Sequence, residues 1–233
     1  MQNLDNIELL QDLPTEERTA LAAQCVWRSF ASGEQILERS SDSRDMYFVV
    51  EGSVNIVNYG VSGREVTYAT IAAGQYFGEL SAIDGRARSA NVVASSRCLL
   101  AALDPASFET LLMRHPEIMM AVLKRLVRII RVNDDRILDL STLGAVQRVC
   151  QELLRMAEPD PVTPKSWLIH PMPTQSVIAS RVSTTRETVA RVLGQLAQEG
   201  MVTKKGKTLY LRNRAAIEDY IRTLAMASGS GGR

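Results

Sequence analysis

The spacing of hydrophobic residues changes along the chain, and each change predicts a different structure. Residues 4–23 carry apolar side chains at helical intervals interrupted at Pro14, which predicts two short helices. From residue 26 to residue 103, short runs such as MYFVV, SVNIVNYG, EVTYATI and CLLAAL alternate with Gly, Ser and Asp. Such runs predict an antiparallel barrel or jelly roll.

Helical spacing returns in residues 106–140, and the second part of this stretch repeats in steps of four and three. The residues of this heptad seam are Met119, Leu123, Leu126, Ile130, Asn133, Ile137 and Leu140. A seam of this length needs a second helix, and the same helix of another copy is the simplest partner. The pattern predicts a homodimer through the helix Met119 to Leu140. Packing of the helix on its own barrel is the alternative.

The segment after this helix is compact and basic. Gly144 to Met156 reads as another helix, and the loop EPDPVTPKS follows it. Between Thr174 and Arg214 there are eight Lys or Arg against two acids, although the formal net charge of the whole chain is only +1. Although the net charge of the chain is near zero, this segment is thus basic enough to bind a polyanion.

The order of helix and turn signals in this segment predicts a winged helix-turn-helix. A short helix runs from Gln175 to Arg181, the chain turns at residues 182–183, and a second helix ends at Gly200. Thr184 and Glu187 have the spacing of a capping box for the second helix. A Lys-Gly turn at 205–206 joins two short strand-like runs.

The second helix presents the chemistry of a DNA-reading helix. An Arg can donate two hydrogen bonds to guanine, and a Glu can accept one from cytosine. Lysines on the wing would lie near phosphates. A capping role for Glu187 and a solvated surface for the arginines are the alternatives. The predicted contacts with double-stranded DNA are Arg186, Glu187, Arg191, Thr174, Thr185, Lys205 and Lys207.

The stretch GELSAIDGRARSA, residues 78–90, combines opposite charges with small residues. Arg88 can donate two hydrogen bonds to phosphate oxygens, and Ser89 can add a hydroxyl and a backbone N–H. Glu79 can accept the 2′-hydroxyl of a ribose, while Gly78 lets backbone amides approach a phosphate. This stretch, here called the cassette, predicts a site for the sugar and phosphate of a cyclic nucleotide.

The sequence YFGELSAIDGRARSA, the long seam helix and the motif TRETVAR, in this order, resemble the cyclic-AMP receptor protein family. The resemblance extends from about Ile7 to Tyr220. It implies an α+β chain with an N-terminal cyclic-nucleotide-binding β jelly roll at 1–115 and a long dimerisation helix with its hinge at 116–141. A C-terminal winged helix-turn-helix at 142–224 and a flexible tail at 225–233 would follow.

The resemblance also implies residues and partners. The nucleotide contacts implied within the cassette are Gly78, Glu79, Leu80, Arg88, Ser89 and Ala90. Tyr68 and Ile71 match positions that flank the base, with barrel core as the alternative. The implied operator is a TGTGA-like inverted repeat, and RNA polymerase is the further expected partner.

Two residues depart from the family pattern at the positions that face the base. The family commonly has Thr and Ser there, whereas this chain has Asn133 and Asp134. An Asp suits the N–H donors of guanine and an Asn suits its O6, yet either side chain can accept from adenine N6. Cyclic AMP and cyclic GMP are both expected ligands. Asn133 can also fix the register of the seam alone, and Asp134 can pair with Arg131 or Arg136.

Other classes of ligand and function are disfavoured. The isolated residues Cys25, Cys98 and Cys150 form no metal motif, and the family's iron–sulfur sensors need clustered N-terminal cysteines. His115 and His170 lie outside the expected haem-ligand segment. An enzyme is disfavoured because no nucleophile has an oriented base. A regulator of the same fold without a ligand remains an alternative. Without a signal peptide or a long apolar run, the chain is expected in the cytoplasm.

Overall fold

The computed structural model of the chain describes residues 2–60, 65–163 and 166–229. The chain divides into two compact units, residues 1–130 and residues 131–233. The division falls within the long helix α4, Pro116–Thr142, which therefore begins in one unit and ends in the other. Each unit has a hydrophobic core of its own.

The first unit consists of strands flanked by helices. A 3₁₀ turn at Glu8–Leu10 and the helix α1, Thr15–Gln24, confirm the two predicted short helices. The short helix α2, Glu79–Asp84, lies within the cassette, and α3, Pro105–Arg114, leads into α4. The strands are β1 (Val26–Phe30), β2 (Gln35–Leu37), β3 (Met46–Glu51), β4 (Ser53–Tyr59), β5 (Glu65–Ala72), β6 (Tyr76–Phe77), β7 (Asn91–Ala94) and β8 (Cys98–Leu103).

These strands form two antiparallel sheets, in the orders β1-β8-β3-β6 and β2-β7-β4-β5, which confirms the predicted jelly roll. Residues from both sheets, such as Val49 and Val54, share one core. The other face of the first sheet, including Phe48, packs with residues of α1, α3 and α4. Alternation along the strands produces this arrangement, because neighbouring residues of β3 point to opposite faces.

Strand β4 departs from regular alternation. Its pairing with β5 shifts register between Ile56 and Val57. Beyond the shift, the consecutive residues Val57 and Asn58 are both buried. A register irregularity of this kind changes which side chains point inward, and here it accompanies a polar side chain in the interior.

The second unit contains the predicted winged helix-turn-helix. Its elements are α5 (Ala145–Met156), β9 (Glu158–Pro159), β10 (Trp167–Ile169), α6 (Gln175–Arg181), α7 (Arg186–Gln198), β11 (Val202–Lys205), β12 (Thr208–Leu211) and α8 (Arg214–Gly229). The sheet has the order β11-β12-β10-β9, and the hairpin β11-β12 forms the wing, with Gly206 at its turn (φ 57°). Residues Ile178, Val189 and Leu196 join α6 and α7 to one core.

The cap of α7 differs from the prediction. The N-cap is Thr185 and not Thr184, and the Thr185 hydroxyl accepts a hydrogen bond from the backbone N–H of Thr188 at 3.2 Å. Ser183, with φ 52°, makes the turn before the helix, and the backbone N–H of Thr184 bonds to the Ala179 carbonyl at 2.9 Å. Glu187 therefore lies in the first turn of α7, where its negative charge interacts favourably with the helix dipole.

Arginines connect the helices of the second unit. Arg148 on α5 donates to the Leu143 carbonyl at 2.8 Å and to the Val182 carbonyl at 2.9 Å, so one side chain joins the end of α4 to the turn before α7. Glu152, only 1% exposed, accepts from Arg136 of α4 at 3.1 Å and lies 3.6 Å from Arg181 of α6. Arg136, one of the two expected partners of Asp134, thus binds Glu152.

Each unit carries one tryptophan. The indole of Trp27 donates to the Ala22 carbonyl at 3.1 Å in the first unit. In the second unit, the guanidinium of Arg214 lies 4.3 Å from the centre of the Trp167 ring, a cation–π contact. Both indoles are partly buried.

The cysteines are free thiols, and burial raises the pKa of Cys25 and of Cys150 to about 12. Thiols with so high a pKa are poor nucleophiles at neutral pH. Over the described ranges, His, Cys, Asp and Glu form no cluster that could hold a metal ion. Within the same part of the chain, no helix is long and apolar enough to cross a membrane.

The C-terminal helix is longer than expected. The helix α8 runs to Gly229, so it includes the beginning of the segment 225–233, for which the sequence predicts a flexible tail. Residues 230–233 of that segment lie outside the described residues.

Candidate functional site

Arg88 is the centre of the cassette and is only 4% exposed. Its Nη2 donates to the Ser43 hydroxyl at 2.8 Å and to the Asp45 carbonyl at 2.7 Å, and Nη1 donates to the Gly78 carbonyl at 3.2 Å. These partners are uncharged oxygens, and among the described residues Arg88 forms no ion pair with a carboxylate. Burial lowers the pKa of the guanidinium from its usual value, while Tyr47, Asp45 and Glu79 act in the opposite direction. An arginine nevertheless stays protonated, so the site holds a buried positive charge.

Gly78 is required by the close approach of the chain to Arg88. Its φ of 89° lies in the left-handed region, and a Cβ there would lie 2.8 Å from the Asp45 carbonyl oxygen. The same Cβ would lie 2.9 Å from Nη1 of Arg88. Only glycine allows both the conformation and the contact.

Glu79 begins the helix α2 and is 7% exposed. Its negative charge acts to raise the pKa of the Arg88 guanidinium. In the part of the chain that the structure describes, however, the two side chains form no ion pair. The carboxylate thus influences the guanidinium without pairing with it, which leaves each able to bind a different group of a ligand.

The remaining cassette residues differ in exposure. Ser89 is exposed and Leu80 is 47% exposed, whereas Ala90 is 7% exposed and belongs to the interior. The hydroxyl and the backbone N–H of Ser89 make no hydrogen bond to other described residues, while its carbonyl accepts one from Asn58 at 3.3 Å. The hydroxyl and the backbone N–H of Ser89, which follows Arg88 in the chain, are thus left to donate to a ligand.

Tyr68 and Ile71, the predicted flanks of the base, lie in different surroundings. Tyr68 is 47% exposed, and its hydroxyl accepts from Asn58 at 3.2 Å. Ile71 is 7% exposed and packs in the core between the sheets, which accounts for it without a ligand. Of this pair, Tyr68 is the side chain that solvent reaches.

The cassette also has partners that no local sequence pattern predicts. Ser43 and Asp45 hold Arg88 from a loop before β3, and Asn58 joins Tyr68 to Ser89. These residues are far from the cassette in the sequence, and no local motif distinguishes them. Only the polar composition of SSDSRD, residues 40–45, pointed to a loop there.

Asn133 and Asp134 are both exposed on α4. The exposed apolar residues of this helix include Leu123, Val127, Ile130 and Ile137, whereas Leu126 packs partly on the core of the first unit. Asp134 follows Ile130 by four residues and precedes Ile137 by three, so it continues this exposed stripe. Of the predicted seam, the residues that are exposed are Leu123, Ile130, Asn133, Ile137 and Leu140, whereas Met119 and Leu126 are partly buried.

The DNA-contact candidates all lie in the second unit, on α6, α7 and the wing. Arg186, Glu187 and Arg191 are exposed on the first turns of α7, and Lys205 and Lys207 are exposed on both sides of the wing turn. Thr174 and Thr185 cap α6 and α7 through their hydroxyls. A cap hydroxyl occupied in this way still leaves the helix N-terminus as a donor to a phosphate.

A groove of about 590 Å³ separates α7 from the wing. Its basic residues are Arg186, Lys204 and Lys207, and the small residues Ala190 and Gly194 of α7 form part of its wall. Gln175 and Ser176 of α6 also reach it, and the sequence analysis did not include them. The basic side chains of this groove have the charge that contacts with nucleic-acid phosphates require.

Two family models match the chain over the parts just described. The model of the cyclic nucleotide-binding domain matches residues 27–115, which contain the cassette, and the model of the Crp-like helix-turn-helix domain matches residues 147–220. The chain belongs to the cyclic-AMP receptor protein family. This family consists of DNA-binding transcription regulators and not of enzymes.

Curated relatives agree with this family, and a solved structure shares the fold. The chain is 27% identical over 189 residues to the cAMP-activated global transcriptional regulator CRP of Salmonella typhimurium, covering 80% of this chain and 90% of the relative. It is 29% identical over 194 residues to the cAMP-activated global transcriptional regulator Vfr of Pseudomonas aeruginosa, covering 81% and 90%. A CooA mutant from Carboxydothermus hydrogenoformans shares the fold with a TM-score of 0.77 at 18% identity, covering 91% and 95%.

Proposed function

We propose that the chain is a homodimeric transcription regulator whose affinity for an operator depends on a cyclic nucleotide. The observation that carries this proposal is the buried guanidinium of Arg88, which has only uncharged oxygens as partners among the described residues. A buried charge without a counter-ion is costly, and an anionic ligand removes that cost. The exposed donors of Ser89 suit the same anion.

The proposed ligand is bound through its phosphate and its ribose. Arg88 and Ser89 donate to the phosphate oxygens, and Glu79 accepts from the 2′-hydroxyl, so the neighbouring charges bind opposite ends of one sugar phosphate. Tyr68 lies on the side of the base. The relatives named above are cAMP-activated, which supports cyclic AMP as one ligand.

Cyclic GMP is the second candidate ligand, and Asp134 favours it. A carboxylate within an exposed apolar stripe is unfavourable at a helix–helix seam unless donors satisfy it. The N1–H and N2–H groups of guanine are such donors, whereas adenine offers only its N6 amino group. In this proposal both nucleotides bind, and the base decides how strongly each one stabilises the active arrangement of α4.

The proposed partner is an inverted-repeat operator with TGTGA-like half-sites. A dimer related by a two-fold axis reads two half-sites about 34 Å apart. Arg186, Glu187 and Arg191 read base edges, and the wing lysines contact phosphates. Promoter regulation also implies contact or competition with RNA polymerase.

The first test is a nucleotide panel combined with one matched pair of variants. Operator affinity is measured without ligand, with cyclic AMP and with cyclic GMP, and nucleotide affinity is measured by calorimetry. Arg88→Lys keeps the charge but loses the bidentate geometry, so nucleotide affinity is expected to fall by about a hundredfold. Arg86→Lys, in the same cassette at a side chain 87% exposed, is the control and should bind like the wild type.

Equal operator affinity under all three conditions would contradict the proposal and favour a ligand-independent regulator of the same fold. Unchanged nucleotide affinity in Arg88→Lys would contradict the proposed phosphate site. Preferential activation by one nucleotide would identify the effector.

A further inference from the structure

Asn58 is a buried polar residue that contacts both ends of the candidate nucleotide site. It lies on β4 and is 6% exposed. Its Nδ2 donates to the Tyr68 hydroxyl on β5 at 3.2 Å and to the Ser89 carbonyl in the cassette at 3.3 Å. Tyr68 is the candidate for the base and Ser89 for the phosphate, so one amide spans the site.

The chemistry of these partners fixes the orientation of the Asn58 amide. A backbone carbonyl only accepts hydrogen bonds, so the nitrogen of Asn58 must face Ser89. An amide nitrogen has two N–H donors, and Tyr68 and Ser89 use one each. The opposite orientation would place two oxygens against each other in the interior, where the loss of a hydrogen bond is costly.

A second asparagine donates a hydrogen bond to the amide oxygen of Asn58. Asn91 on β7 donates from Nδ2 to Asn58 Oδ1 at 3.4 Å, and its own Oδ1 accepts from the backbone N–H of Arg39 at 3.0 Å. Asn58 is therefore held between two neighbouring strands and the cassette. Because the side chain is held on every side, a movement at Ser89 and a movement at Tyr68 are linked.

We propose that Asn58 is a positioning residue that sets the distance between the phosphate end and the base end of the nucleotide site. This inference rests on the proposed function. Ser89 keeps its donors toward the phosphate because its carbonyl is tied back to Asn58. Tyr68 keeps its ring beside the base because its hydroxyl is tied to the same amide.

The chain offers a matched control for a test of this role. Asn55 lies on the same strand, and its Oδ1 accepts from Thr70 on β5 at 2.9 Å, with no bond to Tyr68 or Ser89 within the described residues. The variants are Asn58→Ala and Asn55→Ala in the full-length chain. The probes are cyclic AMP, cyclic GMP and ribose 3′,5′-cyclic phosphate, which has the sugar and phosphate without a base.

The expected result is a loss that depends on the base. Asn58→Ala removes two hydrogen bonds at the site, so affinity for cyclic AMP and cyclic GMP should fall by about tenfold to a hundredfold. Affinity for the base-free probe should fall less, by about threefold, because that probe loses only the contribution of Ser89, whereas the two nucleotides lose the contribution of Tyr68 as well. Asn55→Ala should bind all three probes like the wild type.

A second variant avoids the interior in case Asn58→Ala does not fold. Tyr68→Phe removes the acceptor at the exposed end of the network and should give the same base-dependent loss in a smaller amount. Equal behaviour of Asn58→Ala and Asn55→Ala would overturn the inference. Equal losses for all three probes would also overturn it, because they indicate general disruption. Failure of the wild type to bind either cyclic nucleotide would instead overturn the proposed function.

Discussion

At the scale of single residues, local chemistry predicted the charged members of the cassette but not what holds them. Glu79 and Arg88 were recognisable because a carboxylate, a guanidinium and glycines share one short stretch. Ser43 and Asn58 were not, since each meets the cassette only after strands distant in sequence pair. Polar partners of this kind follow from topology, which a local pattern does not contain.

Gly78→Ala is expected to damage the cassette more than its change in size suggests. A Cβ at this position meets the Asp45 carbonyl at 2.8 Å and Arg88 Nη1 at 2.9 Å in a left-handed conformation. Unfolding measured in urea should show a loss of about 3 kcal/mol, and calorimetry should show greatly weakened nucleotide binding.

Gly85→Ala is the control for this change. Gly85 is also left-handed, with φ 68°, but its Cβ would meet nothing within 4 Å. Strain alone should cost about 1 kcal/mol. If both variants lose the same stability and keep nucleotide binding, close packing at Gly78 is not what the cassette requires.

At the scale of elements, periodicity predicted the helices well and their exact faces less well. The limits of α6 agree with the prediction, while the cap of α7 moves by one residue because Thr184 and Thr185 offer the same hydroxyl. On α4, both Leu126 and Val127 fit an apolar repeat. Packing against the core of the first unit partly buries Leu126 and leaves Val127 exposed. Where two neighbouring residues are of one type, tertiary structure determines which of them caps a helix or becomes exposed.

Substitution of two basic residues on neighbouring elements should weaken DNA binding in two different ways. Arg186 on α7 is proposed to read a base, so Arg186→Ala should reduce discrimination at one base pair by about 1 to 3 kcal/mol. Lys205 on the wing is proposed to contact phosphate, so Lys205→Ala should weaken binding to every sequence alike and reduce the salt dependence.

Titrations against operators with single substitutions, at several salt concentrations, separate these effects. If Arg186→Ala weakens binding to all operators equally, Arg186 is a phosphate contact and not a base reader.

At the scale of the whole molecule, the change of period predicted the order of roll, long helix and winged helix-turn-helix. It did not predict that the division between the compact units falls within α4, because a continuous helical pattern contains no sign of a boundary. The exposed apolar residues of that helix are the basis for the proposed dimer. Ile130, at 59% exposed, lies within that stripe.

Ile130→Glu should convert the proposed dimer into monomers. Burying this carboxylate beside the same carboxylate of the partner helix is unfavourable. The dimer dissociation constant should therefore rise by about a hundredfold or more. Light scattering coupled to size-exclusion chromatography measures the mass directly. Arg128→Glu, on the same helix but outside the stripe, should keep the wild-type mass. A wild-type chain that is monomeric at high concentration would contradict the proposed dimer.

The placement of the two tryptophans has a spectroscopic consequence. Trp27 emits from the unit that carries the cassette, and Trp167 emits from the unit that carries the DNA-contact surface. Replacing either one by phenylalanine leaves a single tryptophan in a known unit. Emission recorded during denaturation of the two variants then distinguishes which half of the molecule loses its structure first, without any added label.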